Sequence, residues 1–176
     1  MSDHEQQQQK LISVAVCQFD SKLKHPQMNM EKVARFLSQV DPAKIRFDLF
    51  VLPEMAFTGY CFDSREDVDP YAEDVSVVTA ASAHRQSDTN ISSSSVPTLD
   101  TSSSCYSFVR SIALTYQCMV ICGFPEKVVS SDGGSEDSGD SGDSNNEQQQ
   151  VRYYNSAYVI DKHGTLLHVY RKHFLY

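Results

Sequence analysis

Residues 48–60 read DLFVLPEMAFTGY, a short apolar run that ends at a proline and is followed at once by a carboxylate. The run at 49–52 is typical of a buried strand, and Pro53 cannot continue the hydrogen bonding of a strand interior. Glu54 is therefore predicted at the carboxyl end of a strand, where open α/β sheets form their ligand crevices. We expect desolvation there to raise the pKa of Glu54 toward the range of a general base. A solvated acid in a loop is the alternative interpretation.

Apolar runs on both sides of this stretch predict alternating strands and helices. Val33, Phe36, Leu37 and Val40 recur at helical spacing and predict the buried face of a helix that starts after Pro26. An α/β fold with helices packed on a mixed sheet follows from the order of elements. The sequence predicts strands at 11–19, 48–52 and 118–124, helices from after 26 to near 41 and at 106–117, and a hairpin of 153–160 with 165–170.

Length and charge distribution indicate one domain with two surface inserts. The chain has 176 residues, 40% of them hydrophobic, and a net charge of −8. Residues 130–150 carry six acids and no base, so the remainder is nearly neutral and offers no basic surface for nucleic acid. Residues 85–104 are rich in serine and threonine. We predict a polar tail at 1–10 and one domain at 11–176, with inserts at 85–104 and 130–150.

Several sequence patterns that would indicate a membrane protein, a secreted protein or a cofactor site are missing. No apolar run approaches the roughly 20 residues of a bilayer-spanning helix, and the Gln-rich start is unlike a signal segment, which predicts a cytoplasmic protein without membrane contact. The cysteine count of 5 is odd and favours reduced thiols. Neither zinc-type spacing nor a glycine-rich phosphate loop occurs, so we predict no metal and no organic cofactor.

Lys172 is the second candidate site residue. It follows the predicted hairpin strand that ends at Tyr170, and it stands between two runs containing aromatic residues. Taken alone, this position fits an exposed lysine at a strand end better than a site residue, because lysine is mostly exposed.

Six motifs, taken together, resemble the amino-terminal half of the nitrilase (carbon-nitrogen hydrolase) superfamily. The most specific are L-P-E-x-x-x-T-G-Y, Y-N-S-A and Y-R-K in that order. The runs YRKHFLY (170–176) and GFPE (123–126) look most similar to the protein N-terminal amidase branch, whose members release ammonia from amino-terminal Asn or Gln. The motifs are VAVCQF (14–19), Asn29, DLFVLPEMAFTGY (48–60), GFPE (123–126), YNSA (154–157) and YRK (170–172).

The resemblance implies a Glu-Lys-Cys triad on an αββα sandwich, of which this chain would be an incomplete part. Glu54 would be the general base, and Lys172 would stabilise the tetrahedral intermediate. In the family the nucleophilic cysteine follows the lysine, so it is expected beyond Tyr176 and the 176-residue chain alone is expected to be inactive. Substrates would be protein or peptide N-termini bearing Asn or Gln, without a cofactor, and the complete protein could form oligomers.

Two other functions remain open from the sequence. The same chemistry would act on a small ω-amide or nitrile if the specificity segments differ. Alternatively, the chain is a catalytically inactive module whose acidic insert binds a basic partner. The triad interpretation makes a geometric prediction: Glu54 and Lys172 should meet at adjacent strand ends, within about 4 Å and partly buried.

Overall fold

A computed structural model describes residues 11–78, 104–130 and 150–173. None of the helices in these ranges is both long and apolar enough to cross a bilayer. The strands are β1 (Val14–Val16), β2 (Leu49–Val51), β3 (Glu73–Asp74), β4 (Met119–Ser130), β5 (Gln150–Ile160) and β6 (Leu166–Arg171). The helices that lie wholly within the described ranges are α1 (Pro26–Leu37), α2 (Arg65–Val68) and α3 (Cys105–Tyr116), and a 3₁₀ turn covers Asp69–Tyr71.

The strands form one mixed sheet in the order β1-β2-β4-β5-β6, with β3 paired to β4 off this path. The pairs β1–β2, β2–β4 and β3–β4 are parallel, whereas β4–β5 and β5–β6 are antiparallel. The predicted α/β fold with helices on a mixed sheet is confirmed. Because two successive antiparallel pairings restore the direction of β4, strand β6 runs parallel to β2 and their carboxyl ends lie at the same edge.

One face of the sheet packs against α1 and α3 and forms the core. Phe50, Val120 and Tyr158 alternate onto this face and are fully or almost fully buried. Phe124 stacks on Tyr158 with ring centroids 3.6 Å apart, which fills the centre of the layer. The other face carries half-exposed side chains such as Val14, 52% exposed. Successive residues of a strand therefore point alternately to the buried face and to the more exposed face of the sheet.

The first helix differs from its prediction at both ends and in its buried face. It begins at Pro26, which suits the first helical position because proline lacks the N–H that would be unpaired there. The chain leaves the helix at Ser38, so Val40 lies beyond it. Phe36 is 46% exposed, and the buried face is formed instead by Asn29, Met30, Val33 and Leu37.

Strand lengths follow the partners that are available for pairing. The first strand covers three residues instead of 11–19, because it pairs only with the three residues of β2. Strand β4 is longer than its predicted range of 118–124, because it pairs with β5 along eleven positions, from Val120 to Ser130. Its second half includes polar residues that give no strand pattern in the sequence.

The two predicted inserts and the tail lie mostly outside the described residues. The ranges in these parts of the chain that the structure does not describe are 1–10, 79–103 and 131–149. The described residues at the insert edges belong to regular structure. Ser104 caps α3, its hydroxyl oxygen accepting from the N–H of Ser107, and Ser130 pairs with Gln150 at the open end of the β4–β5 ladder.

Asn29 ties the loop before α1 to the turn that follows Glu54. Its side chain is fully buried. The amide nitrogen donates to the carbonyl oxygens of Lys22, at 2.8 Å, and Phe57, at 2.7 Å, while its oxygen accepts from the N–H of Lys22 at 2.9 Å. A helix residue thus fixes two loops at the edge of the sheet where Glu54 lies.

We expect Asn29→Ala to lower the free energy of unfolding by about 2 kcal/mol, because the carbonyl of Phe57 loses its partner in a buried contact and both backbone groups of Lys22 lose theirs at the edge of the core. Urea denaturation at neutral pH measures the change. Gln39→Ala, just past the same helix, removes only an exposed contact to Arg35 and should cost less than about 0.5 kcal/mol. Equal losses for the two variants would show that the buried amide does not hold the loops.

Candidate active site

The turn that carries Glu54 lies across β4. The N–H of Leu52 donates to the carbonyl of Ile121 at 2.9 Å, and the N–H of Ala56 donates to the carbonyl of Gly123 at 3.1 Å. A Cβ atom on Gly123 would lie 2.6 Å from the Cα of Glu54. The absence of a side chain at Gly123 therefore lets the turn rest directly on the strand.

Lys172 reaches Glu54 on the same face of the sheet, from the end of β6. It follows the last residue of β6, and its N–H donates to the carbonyl of Asn155 in β5 at 2.8 Å. The strand register places Gly123 opposite Ala157, and Ala157 opposite Tyr170. These three residues share one face of the sheet, and Lys172 continues it from Tyr170 at a spacing of two.

The charged groups of Glu54 and Lys172 form an ion pair, with 2.8 Å between Oε1 and Nζ. Their side chains are 39% and 30% exposed, respectively. The predicted contact is thus found, but the predicted route to it is wrong. The two residues do not follow adjacent strands, since β4 and β5 separate β2 from β6. They meet because the turn at Glu54 crosses β4 at Gly123.

Two neutral side chains that the sequence analysis did not assign to the site also contact Glu54. The hydroxyl of Tyr60 donates to Oε1 at 3.2 Å, and the amide nitrogen of Asn155 donates to the same oxygen. The Nζ of Lys172 lies 3.5 Å from the Tyr60 hydroxyl. Tyr60 belongs to the motif T-G-Y and Asn155 to the motif Y-N-S-A. Membership in these motifs was the sequence signal that could have assigned both residues to the site.

The pKa of Glu54 lies below its ordinary value, which contradicts the sequence-based expectation. Burial acts to raise this pKa, as expected. Hydrogen bonds from Lys172 and Asn155, the positive charge of Lys172 and the Tyr60 hydroxyl outweigh it. In return, the hydrogen bond to Glu54 raises the pKa of Lys172. The site therefore holds a carboxylate and an ammonium group at neutral pH.

A shallow cavity of about 270 Å³ opens beside this ion pair. Its lining includes Glu54, Lys172 and Asn155, together with apolar side chains such as Leu52 and Ile121. A larger cavity of about 700 Å³ lies near the end of α3 and the turn at 161–163, and it contains neither charged residue of the pair. The smaller cavity is the candidate site because the charged groups face it.

None of the cysteines in the described residues lines the cavity at Glu54. Burial raises the pKa of the Cys105, Cys118 and Cys122 thiols, for Cys118 to about 12, and also raises that of half-buried Cys17. These four groups stay protonated at neutral pH, and Cys61 is exposed. Within 11–78, 104–130 and 150–173, no three His, Cys, Asp or Glu side chains gather as a metal would require.

Beside Lys172, Arg171 points to the opposite face of the sheet and is anchored there. Its guanidinium binds the carboxylate of Glu126 through two hydrogen bonds, of 2.8 and 2.6 Å, and lies 4.2 Å from the ring centroid of Tyr154. The Glu126 side chain is only 3% exposed, and it also accepts from the Ser156 hydroxyl at 2.7 Å. This two-point contact, buried on the Glu126 side, fixes the backbone from which Lys172 extends.

We expect Arg171→Ala to lower the free energy of unfolding by about 3 kcal/mol at neutral pH, because it leaves a buried carboxylate without its counter-charge. Burial alone would raise the pKa of Glu126, but hydrogen bonds from Arg171 and Ser156 bring it below the ordinary value of 4.5. Ionised Glu126 therefore stabilises the fold above that value, and this contribution is lost as the pH falls through the lowered pKa.

Urea denaturation at neutral and acidic pH tests this dependence. The difference between wild type and Arg171→Ala should shrink as the pH falls, because protonated Glu126 no longer needs the guanidinium. Lys44→Ala breaks an exposed ion pair with Asp41 and should have little effect at either pH. A difference for Arg171→Ala that is independent of pH would contradict the role of the buried pair.

A comparison with protein families decides the lineage. The family model described as carbon-nitrogen hydrolase matches residues 13–176. The chain belongs to the carbon-nitrogen hydrolase family. The match includes Glu54 and Lys172 and every strand of the sheet. The resemblance on which the sequence analysis relied is thereby confirmed.

Curated relatives of this carbon-nitrogen hydrolase carry the name protein N-terminal amidase, as the predicted branch requires. The Schizosaccharomyces pombe protein is 29% identical over 159 residues, which are 90% of this chain and 42% of that protein. The Saccharomyces cerevisiae protein is 25% identical over 165 residues, 94% of this chain and 25% of that protein. The chain therefore spans less than half of the length of these two relatives.

Solved structures agree with the fold. A crystal structure of N-terminal amidase with an Asn-Glu peptide is 25% identical, with a TM-score of 0.60, over 94% of this chain and 28% of that one. A carbon-nitrogen hydrolase from Helicobacter pylori G27 is 19% identical, with a TM-score of 0.51, over 92% of this chain and 39% of that one. The latter supports the fold alone.

Proposed function

We propose that this chain supplies the general base and the stabilising cation of an amidohydrolase that removes the side-chain amide from amino-terminal Asn or Gln. The observation that carries the proposal is the 2.8 Å contact between Glu54 and Lys172 beside a cavity, in a carbon-nitrogen hydrolase fold. Opposite charges held together in a half-buried position are the two groups that such a hydrolysis needs besides a nucleophile.

The proposed reaction uses a thiol nucleophile and proceeds in two stages. The carboxylate of Glu54 accepts the thiol proton while sulfur attacks the amide carbon, and Lys172 stabilises the negative charge that develops on the amide oxygen. Glu54 then gives the proton to the departing amine, which leaves as ammonia, and a thioester remains. In the second stage Glu54 accepts a proton from water, which attacks the thioester, and returns it to the leaving sulfur. The products are a carboxylic acid and the free thiol.

We further propose that the nucleophilic cysteine lies beyond Tyr176. Support comes from the share of the relatives that this chain covers, 42% and 25% of their lengths, and from a cavity whose described lining contains no cysteine. Residues 1–176 alone should then be inactive, because no thiol is available to form the thioester.

The proposed substrate class rests on the relatives. Two are named protein N-terminal amidase, and crystal structures of N-terminal amidase hold Gln-Val and Asn-Glu peptides. The cavity beside Glu54 is shallow and lies at an edge of the described sheet, which suits a substrate that presents one chain end. Small ω-amides and nitriles remain the competing substrates, and both belong in the assay.

The experiment compares residues 1–176 with any longer product whose reading frame continues past Tyr176. Ammonia release is measured from peptides beginning with Asn or Gln, from the same peptides with an acetylated N-terminus, from a small ω-amide and from a small nitrile. We expect activity only in the longer product and only on free N-termini. A frame that stops at Tyr176, with no turnover, would favour an inactive interaction module. Turnover by residues 1–176 that is lost in Cys61→Ser would contradict the assignment of the nucleophile.

A further inference from the structure

The two oxygens of the Glu54 carboxylate have different surroundings. Oε1 accepts from three groups: Nζ of Lys172 at 2.8 Å, the hydroxyl of Tyr60 at 3.2 Å and the amide nitrogen of Asn155. Oε2 has no hydrogen-bond donor among residues 11–78, 104–130 and 150–173. The free lone pairs of the carboxylate are therefore concentrated on one oxygen.

Asn155 connects both charged residues of the site. Its side-chain amide donates to Glu54, while its backbone carbonyl accepts from the N–H of Lys172 at 2.8 Å. Asn155 itself is fixed in the middle of β5, opposite Pro125 of β4. One strand residue thus sets the position of the acid directly and that of the lysine through its backbone.

Tyr60 approaches from the turn after Glu54. Gly59 adopts a positive φ of 78°, and its N–H donates to the carbonyl of Met55 at 3.1 Å, which closes the turn and directs Tyr60 back toward the acid. Tyr60 is 56% exposed. Its hydroxyl could bind water at no cost, so core packing does not explain why it points to Glu54.

We propose that Asn155 and Tyr60 are positioning residues which, with Lys172, bind Oε1 and leave Oε2 as the oxygen that accepts the proton. This inference rests on the proposed role of Glu54 as general base. A carboxylate held by one donor can rotate about its Cγ–Cδ bond and exchange its oxygens, and Lys172 can then bridge both. Donors from three directions on one oxygen prevent that rotation and keep Oε2 available.

The inference makes a prediction about Glu54 that does not depend on turnover. Hydrogen bonds to a carboxylate favour its charged form, so removing either neutral donor should raise the pKa of Glu54. The effect should be larger for Asn155 than for Tyr60, in line with the order of their contributions. A residue that only stabilised the fold would leave this pKa unchanged.

Carbon-13 labelling of the glutamate carboxyl carbons allows the titration of Glu54 to be followed by NMR in the intact protein, with Glu54→Gln to assign the signal. Tyr60→Phe and Asn155→Ala are the test variants. Tyr153→Phe is the matched control, because it removes a tyrosine hydroxyl that binds a different carboxylate, that of Asp69. We expect the pKa of Glu54 to rise in both test variants and to stay unchanged in the control.

An unchanged pKa of Glu54 in folded Tyr60→Phe would overturn the inference, and so would an equal rise in Tyr153→Phe. If Asn155→Ala fails to fold, Tyr60→Phe alone decides, because it removes one exposed hydroxyl. In an active longer product, both variants should move the acid limb of the pH–rate profile upward and lower kcat roughly 10- to 100-fold with little change in KM. If no amide is hydrolysed, the proposed function fails while the titration still tests the positioning.

Discussion

Glu54→Gln and Lys172→Ala are each expected to lower kcat/KM for ammonia release by about 10³-fold in an active product that contains this chain. Glutamine keeps the shape of Glu54 but cannot accept a proton at the pH of the assay. Alanine removes the cation that lies 2.8 Å from the Glu54 carboxylate. Initial rates on peptides with free amino-terminal Asn or Gln, measured by coupled ammonia detection, provide the comparison.

A second ion pair in the same fold supplies the control. Lys127 binds Asp69 at 2.6 Å, and neither residue lines the cavity at Glu54. Lys127→Ala and Asp69→Asn should therefore leave kcat/KM nearly unchanged. Because Glu54 and Lys172 act on one transition state, the double variant should lose little more than the worse single variant. Wild-type rates in either single variant would exclude that residue from the chemistry.

The sequence predicted the two charged residues of the site because strand ends are visible in it. An apolar run stopped by Pro53 located the turn with Glu54, and the hairpin located the end of β6. Both features are local, since the apolar run and the hairpin each consist of residues that are neighbours along the chain. The motif resemblance then supplied the reason to pair two residues that are 118 positions apart.

The rest of the site depends on contacts that no local pattern encodes. Asn155 and Tyr60 are neutral and occur in runs with no periodicity of their own, so only the folded chain shows that they converge on Glu54. The lowered pKa of Glu54 comes first from Lys172, whose contact with Glu54 the sequence did predict, and then from Asn155, a donor 101 residues away that it did not. The expectation of a raised pKa weighed only the apolar neighbourhood, which is visible in the sequence, and left out the donors that oppose it.

The crossing of the Glu54 turn over β4 is the other feature that the sequence did not predict, and it depends on Gly123. A Cβ at this position would lie 2.6 Å from the Cα of Glu54, 2.8 Å from the nitrogen of Met55 and 2.9 Å from the carbonyl oxygen of Pro53. All three are backbone atoms, so no side-chain rotation relieves the contact. The turn itself must move away from the strand.

We expect Gly123→Ala to lower the free energy of unfolding by about 2–3 kcal/mol and to separate Glu54 from Lys172. The displaced turn would lose the backbone hydrogen bond from Ala56 to Gly123, which is 3.1 Å long. Without the ammonium group nearby, the pKa of Glu54 should rise from its lowered value. Urea denaturation and the carboxyl titration measure the two effects on the same sample.

Gly164→Ala is the control that distinguishes the loss of the contact between Glu54 and Lys172 from general destabilisation. Gly164 has a positive φ of 76°, so alanine is strained there, but the atoms a Cβ would meet belong to the side chains of Arg110 and Leu114, away from the site. This variant should cost about 1 kcal/mol and leave the pKa of Glu54 unchanged. If Gly123→Ala were equally mild and kept the lowered pKa, the turn would tolerate a side chain beneath it. The position of Glu54 would then have to be set by Asn29 and the loop contacts instead of by the close approach to β4.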